Sequence, residues 1–380
     1  MINLPVCEPE YCFDPMNSFL YNADTGAGGA IIGHSADFFF QKLEVMHAGN
    51  LLECIDNYQQ LSAMLMDSQV DSSIRNTCFH MSKGSNVDST ATTINHGVSV
   101  WYSTTLISGI VGSLARNYLP TGSLLGSLQI KITLSNFQQL GRWTTAPTTT
   151  SNANFSISDI EFHSNFIKLS PEVMSMIQSP QYTIYSESYT NFQQSVPITS
   201  AVEQLIPSRY SSLKSVFVSM RKQVSVLNAN YDYYPNTRST FAISDYCFRL
   251  GPEQIPPVRV RCHGYGYVEP YESLKVCLHS GGNTLTSMGI INGTSYIIAQ
   301  PSGSGTSADL YSNGGLFMIG QDFETYSGKS GALLSGASTV GSDLYFSANF
   351  STATPAAIFD YFMHYDVKLI LQDGIFTVHV

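Results

Sequence analysis

Ser127-Leu-Gln-Ile-Lys-Ile-Thr-Leu-Ser135 alternates residue by residue. Leu128, Ile130, Ile132 and Leu134 fall on one face, and Gln129, Lys131 and Thr133 on the other. Period two marks a strand with one buried face, because successive side chains of an extended chain point to opposite sides. The same signal recurs at 98–106, 182–189, 215–218, 297–300 and 343–350. A hairpin pattern closes the sequence: 367–371 reads as a strand, Asp373-Gly374 supplies a positive-φ turn, and 375–380 returns. Turn-rich stretches at 144–154, 281–286, 303–315 and 328–341 separate these runs.

Only three short helices interrupt the strands. Asp56 is the expected cap of a run with Tyr58, Leu61 and Leu65 on one face. Ser170-Pro171-Glu172 reads as a cap, a proline at the first helical position and an acidic first turn, followed by Val173, Met176 and Ile177. Pro270 opens the third, with Tyr271, Leu274 and Leu278 on its face. Strand runs with a few loop helices predict a mostly antiparallel all-β protein, far from a βαβ alternation.

The first and third helices share the spacing Tyr-x2-Leu-x3-Leu, 213 residues apart. Each follows a strand and a glycine turn: 38–45 then Gly49, and 246–250 then Gly251. The bland reading is two coincidental amphipathic faces. With its matching context, the echo predicts two similar β units of a size that suits an eight-stranded jelly roll with elaborate loops. The expected domains are 1–190 and 191–380.

Composition narrows the function. Only 12% of the 380 residues are charged, about half the roughly 25% of ordinary domains. Another 12% are aromatic, with 22 Tyr and 21 Phe. Such a chain buries enough apolar surface to exclude disorder. Its sparsely charged exterior suits a surface covered largely by copies of itself. The net charge is −10, and the longest basic run is Arg221-Lys222, so no nucleic-acid footprint exists. Residues 1–17 carry Glu8, Glu10 and Asp14 and no base, unlike a basic arm or a signal peptide. No stretch approaches 18 consecutive apolar residues. The seven cysteines (7, 12, 54, 78, 247, 262 and 277) form no C-x-x-C pair, and free buried thiols in a reducing compartment are expected. Without a secretion signal, the sequons at Asn154, Asn292 and Asn349 read as chance matches.

Catalytic signals are sparse. The nine histidines form no H-x-H, H-E-x-x-H or H-x-x-E-H arrangement. Gly303-Ser304-Gly305 lacks the lysine and helix of a phosphate loop, and no G-x-S-x-G elbow is present. The glycine-rich 26–33 leads into a strand and reads as a link. Asp322 and Glu324, two apart, would share one face of a strand. A glycosidase pair could look like this, but such pairs usually come from different elements, and structural hydrogen bonding is the expected role. No catalytic, cofactor-binding or metal residue is assigned.

Three segments resemble the double jelly-roll major capsid proteins of tailless icosahedral DNA viruses, a group spanning membrane-containing phages, virophages, polinton-like viruses and large eukaryotic viruses. The first is Ser35-Ala-Asp-Phe-Phe-Phe-Gln-Lys-Leu-Glu-Val-Met-His-Ala-Gly-Asn-Leu-Leu-Glu53, continuing to Ile55-Asp-Asn-Tyr58. It is similar to an aromatic strand, glycine turn, acidic residue and Asn-Tyr helix in the first barrel. The second is Ser244-Asp-Tyr-Cys-Phe-Arg-Leu-Gly251 through Pro256-Pro257 to Pro270-Tyr271. The third is Phe317-Met-Ile-Gly-Gln-Asp-Phe-Glu324, then Ser335-Gly336 and 359–380 with Tyr365-Asp366. Together they cover about a third of the chain, in matching order and spacing. One departure stands out: members usually carry more strand sequence before the first segment than the residues preceding Ser35.

The resemblance implies two tandem eight-stranded antiparallel jelly rolls with short loop helices, and a homotrimer whose six lobes tile a hexagonal lattice. It implies a major capsid protein of the virion, assembled inside the host cell, with neighbouring capsomers, penton and minor capsid proteins as partners. An inner membrane often lies beneath such shells. It implies no enzyme activity, no cofactor and no sequence-specific nucleic-acid contact. Long loops such as 302–315 would form outward towers or latches. Rival readings are a receptor-binding spike or lectin-like β protein, a single-jelly-roll capsid protein with a projecting domain, and a β-sandwich glycoside hydrolase resting on Asp322 and Glu324.

Overall fold

The computed structural model describes residues 2–3, 11–13, 18–25, 30–32, 35–83, 93–94, 99–115, 118–135, 141–143, 155–177, 181–223, 238–262, 267–278, 289, 291, 296, 316–324, 335–354 and 356–380. The strand expected at 297–300, the turn-rich stretches 144–154, 281–286 and 303–315, and the sequons at Asn154 and Asn292 lie outside them.

In chain order the strands of the first half are β1 (Ile2–Asn3), β2 (Tyr11–Phe13), β3 (Ser18–Thr25), β4 (Ala30–Ile32), β5 (Phe40–His47), β6 (Asn50–Asp56), β7 (Thr93–Ile94), β8 (Val100–Thr105), β9 (Leu128–Leu134), β10 (Gly141–Trp143), β11 (Phe155–His163) and β12 (Phe166–Lys168). Those of the second half are β13 (Gln181–Val196), β14 (Ala201–Ile206), β15 (Leu213–Lys222), β16 (Ile243–Leu250), β17 (Glu253–Arg261), β18 (Ile319–Asp322), β19 (Leu344–Phe350), β20 (Ala357–Gln372) and β21 (Ile375–His379). The α-helices are α1 (Tyr58–Gln69), α2 (Ser72–Ile74), α3 (His80–Lys83), α4 (Pro171–Ile177) and α5 (Val268–Cys277).

Among the described residues, strands pair only within each half. The first half forms sheets ordered β1-β9-β5-β6, β10-β4-β7, β11-β3-β8 and β12-β2. The second forms β13-β20-β15-β18, with β21 also on β20, and β14-β19-β16-β17. Where eight strands per half were expected, the described residues carry twelve and nine, because short edge segments and the β20–β21 hairpin add to each count. Every strand pair is antiparallel, as the alternation predicts. The expected border at 190/191 falls inside β13, which pairs with β20 along its full length, from Gln181 opposite Gln372 to Val196 opposite Ala357. The other edge of β20 pairs with β15 and then β21.

The founding stretch becomes β9. Leu128 and Ile130 are buried, whereas Leu134 is 45% exposed, so the buried face fades towards its end. The closing hairpin is built as expected, with Asp373 at φ 52° and Gly374 at φ 75° between β20 and β21.

The echo extends into the backbone. Hairpin β5–β6, turning at Ala48-Gly49 with both φ positive, precedes α1; hairpin β16–β17, turning at Gly251 with φ 56°, precedes α5. Each helix is entered through a left-handed residue that makes no side-chain cap, Asn57 at φ 50° and Tyr267 at φ 41°. Three expectations change in detail. Asp56 is not the cap of α1; it ends β6, where its carboxylate lies 3.4 Å from Lys42 Nζ. Helix α5 starts at Val268, two residues before Pro270. Phe38 and Phe39 sit in a 3₁₀ turn (Ala36–Phe39) capped by Ser35 Oγ, which accepts the Asp37 N–H at 3.2 Å, and the strand begins at Phe40. Helix α4 forms where expected, yet Val173 and Met176 face outwards.

A continuous apolar core runs through both halves. Leu43, Val45, Ile55, Tyr58, Leu61 and Ile130 contribute from the first, and Val216, Val218, Phe346, Phe359, Tyr361 and Leu369 from the second.

Candidate functional site at the seam between the two halves

β6 is the edge strand of its sheet, and β13 is the edge of its own. The two edges lie side by side and are joined by side chains rather than a ladder. Exposed edges invite pairing with other chains; here each covers the other.

Polar residues of 53–67 make the join. The Glu53 carboxylate accepts hydrogen bonds from the Ser108 hydroxyl, the Gly109 N–H (2.9 Å) and the Ser188 hydroxyl of β13 (2.5 Å). Ser186 donates to the Gly109 carbonyl, so the loop after β8 is clamped between Glu53 and β13. A side chain at Gly109 would force the backbone to shift, since a Cβ would lie 2.1 Å from the Glu187 carbonyl oxygen. Further along, Asn57 Nδ2 donates to Asn191 Oδ1 (2.9 Å) and Asp360 Oδ1 (3.1 Å). Asp360 also accepts from Gln193 Nε2 (2.7 Å) and Arg221 Nε (2.9 Å). Gln60 Nε2 donates to Ser219 Oγ at 2.8 Å. At the far end the β20–β21 turn reaches back: the Leu125 N–H donates to the Gly374 carbonyl (2.8 Å), and Phe376 meets His47 edge-on at 5.6 Å.

Behind β13 lies a second ionisable cluster. Lys214 Nζ donates to Glu187 Oε1 (2.7 Å) and lies 3.1 Å from Glu324 Oε1. His364 Nε2 is 3.1 Å from Glu187 Oε2, and its ring stacks on Tyr189 with centroids 4.5 Å apart. Ser212 donates to Asp366 Oδ2 at 2.5 Å. Desolvation pushes the Glu53 carboxyl up, against its hydrogen bonds from Gly109, Ser108 and Ser188. Desolvation acts on Glu187 too, but His364 and Lys214 outweigh it and hold that carboxyl below the ordinary range. Burial likewise raises Asp366.

Ser215, His364 and Glu187 follow the order of a serine-hydrolase triad, which the sequence spacing does not reveal. Ser215 Oγ is 3.4 Å from His364 Nδ1, a long contact, and only 2% of Ser215 is exposed. A buried nucleophile whose acid is committed to a lysine serves packing. Asp322 and Glu324 are also engaged: Asp322 Oδ1 accepts the Glu324 N–H (2.9 Å), while Glu324 binds Ser335 (2.6 Å) and Lys214. Asn349 lies in β19, paired on both sides, and donates to Asp245 Oδ1 at 2.8 Å. Among the described cysteines 247, 262 and 277 are buried, Cys54 is partly so, and Cys78 is exposed, contrary to the expectation of burial throughout. Among the described residues no helix is long and apolar enough to cross a membrane.

No protein-family model matches the chain, and no curated protein matches it. Solved structures do. VP54 of PBCV-1, fitted into a reconstruction of the virophage Sputnik, matches with a TM-score of 0.62 at 10% identity, over 100% of this chain and 95% of that one. A chain of the Sputnik virophage structure matches at 0.59 and 12% identity, over 100% and 84%. The Faustovirus major capsid protein matches at 0.52 and 8% identity, over 96% and 86%. The fold is the double jelly roll of these viral capsid proteins.

Proposed function

We propose that this chain is a major capsid protein, acting by assembly and not by catalysis. The observation that carries the reading is whole-length likeness: one fold accounts for the entire chain and for nearly all of a capsid protein from PBCV-1. The seam supports it physically. A lattice block needs its two lobes at a fixed angle, and buried hydrogen bonds specify one register between lobes more narrowly than apolar contact does. The described strands favour a division between Lys168 and Gln181, with β13 given wholly to the second roll.

Two lobes per chain imitate six-fold symmetry only when three chains close a ring, since two or four chains give four or eight lobes. The oligomer is therefore a homotrimer of 41.6 kDa chains, about 125 kDa, packing laterally into an icosahedral shell. Its partners are copies of itself, penton and minor capsid proteins, with a membrane beneath the shell as a further contact. With a net charge of −10, DNA binding at physiological salt should be weak. Native mass spectrometry of protein released gently from particles tests the reading. A trimer that survives dilution and forms hexagonal arrays by negative stain is expected. A stable monomer, or a trimer without lateral contacts, would overturn it, the latter in favour of a spike.

A further inference from the structure

Helices α1 and α5 hold matching places in the two halves, each after a hairpin, yet they are covered unequally. Ten of the twelve residues of α1 are buried. Part of that cover comes from the second half. Gln60 donates to Ser219, Asp67 accepts from Arg238, and a Cβ on Gly289 would lie 2.4 Å from the Asp67 carbonyl oxygen. Helix α5 buries Pro270, Leu274 and Cys277 but leaves Val268, Glu272 and Val276, spaced by four along one face, exposed. Val268 and Val276 are 63% and 45% exposed. The neighbouring edge strands differ in the same way. β6 is covered by β13, whereas β17, tied to α5 by Arg261 and Glu269, ends its sheet with Val258 73% exposed.

The first half has a gap of its own. Residues 155–177 form β11, β12 and α4, yet no described side chain among them is buried. Ile157 and Phe162 pack only partly on the core, while Ile160 and Met176 are 52% and 75% exposed. Strands and short helices hold their shape by burying one face, and this segment has little of its own chain to bury it against.

We propose that these two surfaces meet between chains: the β17–α5 face of one copy packs on the 155–177 segment of the next. The inference rests on the capsomer reading above and locates its contact. A closed ring of three needs two different patches on every chain, one for each neighbour, and alternating lobes require one patch in each half. Charge does not oppose the approach, because the ionic groups of the face are already paired, Arg261 with Glu269 and Lys275 with Glu272. The contact is made by side chains and not by a shared ladder, since Pro256 and Pro257 leave β17 two amide donors short. The seam between β6 and β13 within the chain is joined in the same manner.

Val268→Glu combined with Val276→Glu places two charges where the separate chain leaves them hydrated and the ring would bury them. By native mass spectrometry the trimer should dissociate at a concentration at least about a hundredfold higher, with the circular dichroism unchanged. Ile160→Glu with Met176→Glu should do the same from the other side. A variant that keeps the wild-type trimer would overturn the proposal; if its hexagonal arrays also persist, the capsid reading stands and only the place of the contact is lost. A monomeric wild type would remove both. A cryo-electron map of the wild-type trimer gives a readout free of any variant's folding. Val258, Val268 and Val276 against the neighbouring copy's first half are expected there, and the same three open to solvent would refute the contact.

Discussion

Two buried glutamates meet at consecutive positions of one strand, and they are biased in opposite directions. Glu187 belongs to β13 and has Lys214 and His364 against its oxygens; Glu53 comes from the other half and is held by the neighbouring Ser188, with no cation against it among the described residues. Burial is common to both, so the difference is the cation. Desolvation alone raises a carboxyl; hydrogen bonds from Gly109, Ser108 and Ser188 do not offset it at Glu53, whereas hydrogen bonds and close positive charge together do at Glu187. Their pH dependences therefore oppose each other. Glu187 titrates below its ordinary 4.5, so its stabilisation is complete above that pH and is lost as the pH falls towards its folded value. Glu53 titrates above 4.5, so its contribution is complete below that pH and is lost as the pH rises through its folded value. The Glu187 contribution is thus lost only in acid, whereas the Glu53 contribution fades as the pH rises.

The largest effect should come from Lys214→Met. It leaves Glu187 and Glu324 buried without their lysine and should cost about 3–5 kcal/mol, read from the urea midpoint. Adding Glu187→Gln to that variant should recover part of the loss; no recovery would break the contrast by showing that packing, not charge, was lost. Gly109→Ala disturbs the Glu53 side without touching a charge, because the new methyl meets the Glu187 carbonyl. It should cost about 1–3 kcal/mol with the pH profile retained. Glu53→Gln should stay within about 1 kcal/mol of wild type near pH 5 and gain on it as the pH rises to 8. Parallel curves over that range would show that Glu53 does not carry the seam's pH response. Arg249 and Glu203, paired at 2.8 Å on the exterior, serve as the solvated control. Arg249→Ala should cost only about 0.2–1 kcal/mol, less at high salt.

Much of the fold was readable because strands announce themselves by period. The alternation that gives β9 and the Asp373-Gly374 turn are local signals, and each appears where expected. The hairpin-then-helix echo was readable through its spacing, although its left-handed entries at Asn57 and Tyr267 were not, since nothing in Tyr267 favours a positive φ. Asp56 misled because a good capping side chain stood one residue before the residue that turns. The seam was out of reach for another reason. Glu53, Ser108 and Ser188 are single polar residues 55 and 80 positions apart, with no repeat linking them. One clue was available: Asp360, His364 and Asp366 interrupt a largely apolar strand run, and ionisable groups placed there must find partners.

The pairing of β13 with β20 also has a consequence in time. The strand ending at Val196 waits for one that begins at Ala357. At roughly 5–20 residues per second, a ribosome needs on the order of ten to thirty seconds to deliver it. Through that interval the emerging chain carries a sixteen-residue strand without its ladder partner, beside a first roll that already offers Glu53 and Asn57. Loop-closure entropy places this ladder among the late contacts of the molecule, together with the seam bonds that span still more residues. Strands β20 and β21 thus complete the second roll and, through Gly374 and Phe376, fasten it to the first. Until β20 and β21 emerge, the join between the two halves stays open, since Asn57 and the Leu125 N–H lack Asp360 and the Gly374 carbonyl.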